Sequence, residues 1–475
     1  MSIVKNKLRI TSYELRVTHI IYVALTLLGL SFLGYFFSFV NSVGFFGFGL
    51  FCLVLGIWKR EYALYLAFLE LCLGSFGYLL SFNADGFNLS LRMLFFVVIM
   101  GLWLFDFFYQ RKNITEISLL RRRGVRGDLI IMLAIFLFIW FFGILQGYLR
   151  GHSIANIFYD ANSYLYFLLL LPALTYINTK EKFKELRKVV LTGAGILALG
   201  TIVIFLTFTY CKSPNFLEIL YKWLRDFRIA EITSLDGGSY RIFLQSQIYL
   251  LAGLLILSGK YFFERMKFWK YSALTIIFSA GIYISLSRSL WIGSVAGIIV
   301  FLTLTKLVAK KKVFRKSITL ILSMLIGLLL VGLIAKGNIM SERLKVGESA
   351  SNTRIEQLVP LLPAIYKNPV FGYGFGKTLT FISRDPRING EYTTHAFEWG
   401  YLDMILKFGA LGLLVYLGFI SVLLYSLIKN KNIAGIALIA ALLSVHMFTP
   451  YLNHPLGIGI LLLTFLLGHD ITEKE

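Results

Sequence analysis

Long apolar runs recur from one end of the chain to the other and constrain its fold more than any other feature. A run of about 18 or more apolar residues can cross the hydrocarbon core of a bilayer as a helix. With 57% hydrophobic residues and only 8 prolines in 475 positions, a soluble domain could not hide this much apolar surface. The sequence therefore predicts an all-α, polytopic membrane protein.

Hydropathy and loop charge predict a bundle of about fourteen (12–14) transmembrane helices. Cytoplasmic loops collect Lys and Arg, and 30 of the 47 basic residues fall on one side of this map. Both termini are therefore expected to face the cytoplasm. The predicted spans are 19–40, 43–58, 62–82, 89–109, 128–149, 160–178, 188–210, 241–258, 271–287, 289–307, 317–335, 400–428, 432–449 and 454–468.

Basic runs in the inner loops, together with a net charge of +22, raise the question of nucleic-acid binding. The runs are RRRGVR at 121–126, KEKFKELRK at 180–188 and KKKVFRK at 310–316. Each run abuts a span, and no stacking or base-reading module accompanies them. Membrane topology and anionic lipid explain them better, so the bilayer is the expected partner and nucleic acid is not.

The cysteines and the N-terminus predict no disulfide framework and no cleaved leader. Cys52 and Cys72 fall in predicted spans and Cys211 just outside one, without metal-ligand spacing. The first apolar run follows a basic start but lacks a small-residue cleavage site, which predicts a retained first span.

Two long outer connections divide the predicted bundle. The segment FLEILYKWLRDF at 216–227 has helical apolar spacing and is expected to lie flat at the outer interface, either as a simple lid or gripping a lipid. The predicted organisation is an N-terminal bundle of about seven spans at 1–210, an outer amphipathic loop at 211–240, a transmembrane core with an outer hairpin at 241–335, a large extracytoplasmic loop at 336–399, and C-terminal spans with a cytoplasmic tail at 400–475.

The large outer loop contains a helix and a glycine-rich turn. NTRIEQLVPLLPAIYKN predicts an amphipathic helix opened by Asn352 and ending before Pro369. NPVFGYGFGK follows, with glycines at 372, 374 and 376. No strand-and-helix unit surrounds it, so a tight turn against the bundle is favoured over a nucleotide loop, although its N–H groups could meet an anion.

Arg288, in SLSRSLW at 285–291, lies where two predicted spans turn around. Exposing its charged side chain to lipid would cost on the order of several kcal/mol, so the guanidinium must reach water or a partner. A snorkelling anchor is the simple explanation. Of the six histidines, His152, His395 and His454 map to the outer face, where a group titrating near neutral pH could accept a proton.

The order of three motifs resembles the signature of the bacterial O-antigen ligase and O-antigen polymerase superfamily. These are SLSRSLWIG, the NPVFGYGFG turn, and His395 followed by KFGALGLL at 407–414. The resemblance covers roughly residues 240–428. It implies a GT-C-like integral membrane glycosyltransferase that takes a glycan from an undecaprenyl diphosphate carrier. Ligases pass the glycan to a lipid acceptor, and polymerases pass it to another carrier-linked repeat.

The resemblance implies roles for particular residues. His395 corresponds to the catalytic general base, and Arg288 and Arg241 correspond to arginines that bind the donor diphosphate. Arg354 also matches a recurrent arginine, which could bind the diphosphate or tie down the loop. Glu398 could orient the His395 ring if the chain is helical there.

Some features depart from the pattern or are absent. The family usually follows the histidine with Asn or Ser, and here Ala396 stands there. Two more spans are predicted than the twelve typical of the ligases. The outer loops carry no Asp-x-Asp cluster that would hold a divalent cation on a diphosphate. No metal and no cofactor are therefore expected, with arginines in place of the cation.

The sequence leaves the exact activity open. The histidine segment and the glycine turn favour a ligase slightly over a polymerase of lipid-linked repeats. A flippase for lipid-linked oligosaccharides is the rival class, and Glu70 in the third span is its main support. A core carboxyl that is protonated or paired explains Glu70 at least as well. The expected location is the bacterial cytoplasmic membrane, with the site facing outside.

Overall fold

The computed structural model describes residues 15–84, 87–109, 125–235, 237–308, 313–337, 349–385 and 390–468. Helices dominate these ranges. They are α1 (Val17–Phe36), α2 (Ser38–Trp58), α3 (Arg60–Leu73), α4 (Leu91–Tyr109), α5 (Val125–Leu149), α6 (Ile154–Ala161), α7 (Leu170–Tyr176), α8 (Lys180–Tyr210), α9 (Pro214–Asp226), α10 (Ile248–Phe263), α11 (Phe268–Ile284), α12 (Arg288–Val308), α13 (Val313–Ile334), α14 (Ser349–Lys367), α15 (Gly400–Lys429), α16 (Ile433–His446) and α17 (Pro455–Gly468).

Short antiparallel hairpins and 3-10 turns complete the described ranges. The strand pairs are β1 (Ser81–Ala84) with β2 (Phe87–Ser90), β3 (Glu231–Ser234) with β4 (Tyr240–Phe243), and β5 (Leu379–Ser383) with β6 (Gly390–Thr394). The 3-10 segments are Asn162–Leu169, Gln245–Gln247 and Tyr451–Asn453.

Within the described ranges, ten helices are long and apolar enough to cross a membrane, and three shorter apolar helices, α11, α16 and α17, accompany them. Every predicted span overlaps a helical segment. The expected all-α, polytopic membrane fold is confirmed. The basic runs at 121–126 and 310–316 lie partly outside the described residues, so the orientation inferred from them stays a prediction.

The predicted third span, 62–82, is a short helix in the core. α3 ends at Leu73, and its residues from Tyr62 onward are all buried. Glu70 is completely buried and pairs with Arg92 through two contacts of 2.9 and 3.0 Å. Glu70 is thus a paired core carboxyl, which was the alternative to a transport role in the sequence analysis.

The predicted sixth span, 160–178, is irregular. α6 leads into the 3-10 segment Asn162–Leu169 and then into α7, and the whole run from Ile154 to Tyr176 is long enough to span. Pro172 lacks the N–H that a regular α-helix would bond to the preceding turn, which accounts for the change of helix type. Tyr159 and Asp160, at the end of α6, contact His395 and Gly376 of the large loop.

The connecting segments lie at one end of the bundle, and they include the three hairpins and the helices α9 and α14. This end is named the loop-rich end and consists of the described residues of 75–90, 150–160, 211–247, 285–289, 335–399 and 447–454. Ser75 donates to the carbonyl of Ile229 at 2.6 Å. Ser239 and Lys336 exchange hydrogen bonds of 2.6 and 2.8 Å. These contacts join both long connections to the bundle.

The start of α14 corrects one expectation. The helix begins at Ser349, three residues before Asn352, and ends at Lys367, before Pro369 as predicted. A polar residue caps a helix only where the upstream backbone leaves helical angles, and here Ser349–Ser351 continue the helix. Asn352 is therefore an interior residue.

Candidate active site

The SLSRSLW segment forms a tight turn between α11 and α12 that is held by its own serines. Ser285 Oγ accepts the N–H of Ser287 at 3.1 Å. The hydroxyls of Ser287 and Ser289 lie 3.0 Å apart, and that of Ser289 lies 2.8 Å from Thr449 Oγ1. These bonds fix the turn and thereby the position of Arg288, where α12 begins.

Arg288 occupies an electrostatically unusual place for a cation. It is half-buried at the first position of α12, where the helix dipole disfavours a positive side chain by about 0.3–1 kcal/mol and favours an anion. Arg354 lies near enough for its like charge to act on Arg288. Two guanidinium groups and a helix N-terminus therefore converge in a way that would stabilise a bound anion.

Arg241 belongs to the same neighbourhood. Its Nε donates to the carbonyl of Ser285 at 3.0 Å, which ties β4 to the turn before Arg288. Its guanidinium also lies 4.9 Å from the centre of the Phe243 ring and 3.8 Å from Glu231. Arg241 is thus bonded to the turn that carries Arg288, while Arg354 acts on Arg288 from α14, so all three arginines lie at the loop-rich end.

Arg354 is already paired with a carboxylate. Its Nε lies 2.6 Å from Glu398 Oε2. The indole of Trp399 donates to the carbonyl of Arg354 at 2.8 Å, and Gln357 Oε1 accepts the N–H of Glu398 at 2.9 Å. These contacts dock α14 on the segment before α15, beside a small core formed by Leu361, Ala364, Phe397 and Leu406.

The orienting role expected for Glu398 required a helix through 395–398. The helix α15 starts only at Gly400, and the carboxylate turns to Arg354 instead. Glu398 therefore acts on the arginine group, and that expectation is corrected.

His395 directly follows β6 and lies against α6. Thr394 Oγ1 accepts the N–H of Ala396 at 3.1 Å and so holds the bend at the histidine. The imidazole stacks on the ring of Tyr159, with 6.5 Å between ring centres. Burial lowers the pKa of His395 below its ordinary value, with Asp160 opposing and Lys407 adding to the shift. The neutral, proton-accepting form is favoured.

The glycine-rich turn fills a break in α15. Gly409 has φ 70°, so the helix is interrupted in its interior. The N–H groups of Tyr373 and Gly374 bond the carbonyls of Leu406 and Lys407 at 2.8 and 3.0 Å. On the other side of the break, two N–H groups, those of Ala410 and Leu411, donate to the carbonyls of Pro369 and Val370. The two sequence motifs therefore form one joint that satisfies the backbone of a broken helix.

The same turn packs closely on α5. A Cβ at Gly147 would lie 2.3 Å from the carbonyl oxygen of Phe375, and the N–H of Phe375 donates to Gly143 at 3.0 Å. Gly143 and Gly147 have the four-residue spacing that lets backbones approach in membranes. The N–H groups from 372 to 376 all bond protein acceptors, so the turn is structural and offers none of them to an external anion.

A buried ionic cluster lies beside His395, and sequence reasoning missed it. Lys407 Nζ lies 2.8 Å from Asp160 and 2.8 Å from Asp403. Asn453 donates to Asp403 at 2.7 Å, and Asp160 accepts the N–H of Gly376 at 2.8 Å. The i, i+4 pair Asp403 and Lys407 inside an apolar span was a visible signal. The pairing with Asp160 was not.

The other two histidines expected at the outer face serve local contacts. His152 Nδ1 lies 2.7 Å from the carbonyl oxygen of Phe375, and the ring of His454 packs edge-on against Phe76. Among the described residues no group of three or more His, Cys, Asp or Glu side chains could hold a metal ion.

A comparison with known protein families finds a match in the central part of the chain. A family model described as O-antigen ligase matches residues 273–417. No curated protein and no solved structure matches the chain. The matched stretch contains Arg288, Arg354, His395 and Glu398, whereas Arg241 and Asp160 lie before it. Residues 273–417 are therefore similar to the O-antigen ligase family, in agreement with the resemblance seen in the sequence motifs.

Proposed function

We propose that the protein transfers a glycan from an undecaprenyl diphosphate-linked donor to a lipid acceptor at the outer face of the bacterial cytoplasmic membrane. The family match supports a membrane glycosyltransferase of the O-antigen ligase or polymerase type. The observation that carries the proposal is the convergence of Arg288, Arg241 and Arg354 at the end of the bundle that holds His395.

The arginines fit the diphosphate of such a donor. The diphosphate is anchored at headgroup level by its polyprenyl chain, and guanidinium groups offer fixed, bidentate geometry toward phosphate oxygens. Arg288 and Arg241 are linked through the serine-held turn. Arg354 would join them when its carboxylate partner is exchanged for phosphate. In this proposal the three cations take the place that a divalent metal has in other sugar transferases.

His395 fits the general base. The acceptor hydroxyl would attack the anomeric carbon, the bond from that carbon to the phosphate oxygen would break, and undecaprenyl diphosphate would leave. The proton of the hydroxyl would pass to the imidazole. Attack opposite the leaving group inverts the anomeric centre. Placement of the two substrates and stabilisation of the leaving diphosphate would supply most of the catalysis.

Topology follows from the charge of the loops. With Lys and Arg collected on the inner side, the termini would face the cytoplasm and the loop-rich end would face outside. Carrier-linked glycans would then meet the arginines at the outer headgroup level. The orientation of the bundle across the membrane is therefore part of the proposed function.

Polymerisation of lipid-linked repeats, for O-antigen, capsule, exopolysaccharide or a teichuronic-type polymer, is the alternative with the same chemistry. A flippase would belong to another class. Its main support was a buried carboxyl, and Glu70 is tied to Arg92 by both oxygens. A carboxyl neutralised in the core is a poor candidate for a transport pathway, so the enzyme is favoured.

A gel of carrier-linked oligosaccharide tests the proposal. The purified protein in liposomes is incubated with donor, with and without a lipid A-core acceptor, beside a His395→Ala variant. A single shifted band that requires acceptor and His395 is the expected result. A His395-dependent ladder without acceptor would replace the ligase by a polymerase. No product from varied donors would overturn glycan transfer.

A further inference from the structure

Asp160 joins three parts of the candidate site with one carboxylate. One oxygen accepts the N–H of Gly376 in the glycine-rich turn at 2.8 Å, and the other lies 2.8 Å from the ammonium of Lys407 on α15. Its own helix, α6, comes from the part of the chain before the family match. Both Asp160 and Lys407 are almost fully buried, with side-chain exposures of 6% and 5%.

The same helix contacts the proposed base. Tyr159, the neighbour of Asp160, stacks on the His395 ring. From α6 the imidazole faces Tyr159 and Asp160, and from α15 it faces Lys407, while Glu398 turns to Arg354. The end of α6 therefore holds the ring by packing and acts on it by charge.

We propose that Asp160 is a positioning residue for His395, setting both the place of the imidazole and the charge around it. The inference rests on the proposed function for its catalytic meaning. It assigns a site role to a helix that lies outside residues 273–417, the stretch that the family model matches.

Charge balance explains why a carboxylate is needed at this position. Lys407 is buried, and an unpaired buried ammonium is strongly destabilising. Asp403 alone would neutralise Lys407, so the second carboxylate leaves the cluster with one excess negative charge. That charge stabilises a proton on a nearby imidazole, which is what a base needs after it has accepted one. A purely structural ion pair would not require this excess.

The activity test compares Asp160→Asn with the unmodified protein over a range of pH. Asparagine keeps the size of the side chain and can still accept from Gly376, but it removes the excess negative charge beside His395 and leaves the neutral pair of Lys407 and Asp403. The acid limb is the part of the pH profile in which kcat/KM falls as the pH is lowered. We expect this limb to move to lower pH by about half a unit to one unit. We also expect kcat to fall roughly tenfold, with little change in donor KM.

Two further variants separate positioning from structure. Asp160→Glu restores the charge and should return the acid limb toward its original pH. Asp106→Asn removes the acid from an ion pair at the opposite end of the bundle, where Asp106 meets Arg60 at 2.7 Å. This control should lower stability without moving the acid limb. An unmoved limb in Asp160→Asn, or an equal movement in Asp106→Asn, would overturn the inference.

A titration without turnover keeps the inference separate from the proposed function. The imidazole of His395 is followed by NMR in histidine-labelled protein, and its signal is assigned with His395→Gln. We expect Asp160→Asn to lower the pKa of His395 and Asp106→Asn to leave it unchanged. An unchanged pKa in Asp160→Asn refutes the inference whatever the activity. A lowered pKa in a protein that transfers no glycan refutes the proposed function and leaves the charge role of Asp160 standing.

Discussion

The guanidinium of Arg354 holds the carboxylate of Glu398 at 2.6 Å, so one of the three clustered arginines already carries an anion. Both side chains are partly exposed, at 23% and 38%. A pair of this kind contributes at most about 1 kcal/mol, and a diphosphate with more charge can displace the carboxylate. In the proposed reaction, Glu398 would therefore compete with the donor diphosphate for Arg354.

Glu398→Gln tests this competition. Without the carboxylate, Arg354 is available to the donor, and we predict that the donor KM falls by about twofold to fivefold. Glu356→Gln is the matched control, because Glu356 lies on α14, the helix of Arg354, but accepts the N–H of Arg384. A raised KM together with a lower melting temperature in Glu398→Gln would show instead that the pair only fastens the loop.

Gly409→Ala tests the joint between the glycine turn and α15. A Cβ at this position would lie 2.0 Å from the carbonyl oxygen of Val370, and φ is 70°. We predict a loss of stability of about 3 kcal/mol, measured as a lower melting temperature in detergent. Gly200→Ala on α8 has open space and should change little. Equal melting temperatures for the two variants would mean that the turn does not fill the break in α15.

The pH dependence of transfer tests the state of His395. Burial lowers its pKa, so the imidazole stays neutral further into the acid range than an ordinary histidine. A base works only when unprotonated, so kcat/KM should be flat at neutral pH and fall as pH drops through this lowered pKa. The acid midpoint should thus lie below about 6.5. A midpoint above that value would contradict a buried, neutral base.

Chelation tests whether the arginines act without a metal. We predict that transfer in liposomes keeps its rate in excess EDTA and gains nothing from added Mg²⁺ or Mn²⁺, since the proposed leaving-group charge is met by guanidinium groups. The control is a metal-dependent sugar transferase assayed in the same buffer. Loss of transfer in EDTA, with recovery on adding the cation, would assign part of the diphosphate charge to a metal.

Local features of the sequence predict the spans and the turn well. Apolar run length decides whether a helix can cross a bilayer, and it is read from neighbouring residues. The tight turn predicted at NPVFGYGFGK is confirmed, because glycines at 372, 374 and 376 all take positive φ and pack against backbone. The start of α14 was misplaced because a capping residue has its effect only in context.

Long-range pairings could not be predicted from one sequence. Asp160 and Lys407 are 247 residues apart, and nothing local to either residue indicates the other. The insertion of the turn into the break at Gly409 was likewise hidden, although both motifs were visible separately. The sequence identified Arg288, Arg241, Arg354, His395 and Glu398 as candidates. The packing added Tyr159 and Asp160 beside His395 and the pairing of Glu398 with Arg354.

Arg288→Ala is the variant that tests the central claim most directly. Initial rates of glycan transfer from an undecaprenyl diphosphate-linked donor are measured in liposomes, after checking folding and membrane insertion. Arg225→Ala is the control, since Arg225 is an exposed arginine on α9 paired with Asp226. The account predicts a loss of at least about 100-fold for Arg288→Ala and a normal rate for Arg225→Ala. A folded, inserted Arg288→Ala protein with normal transfer would contradict it.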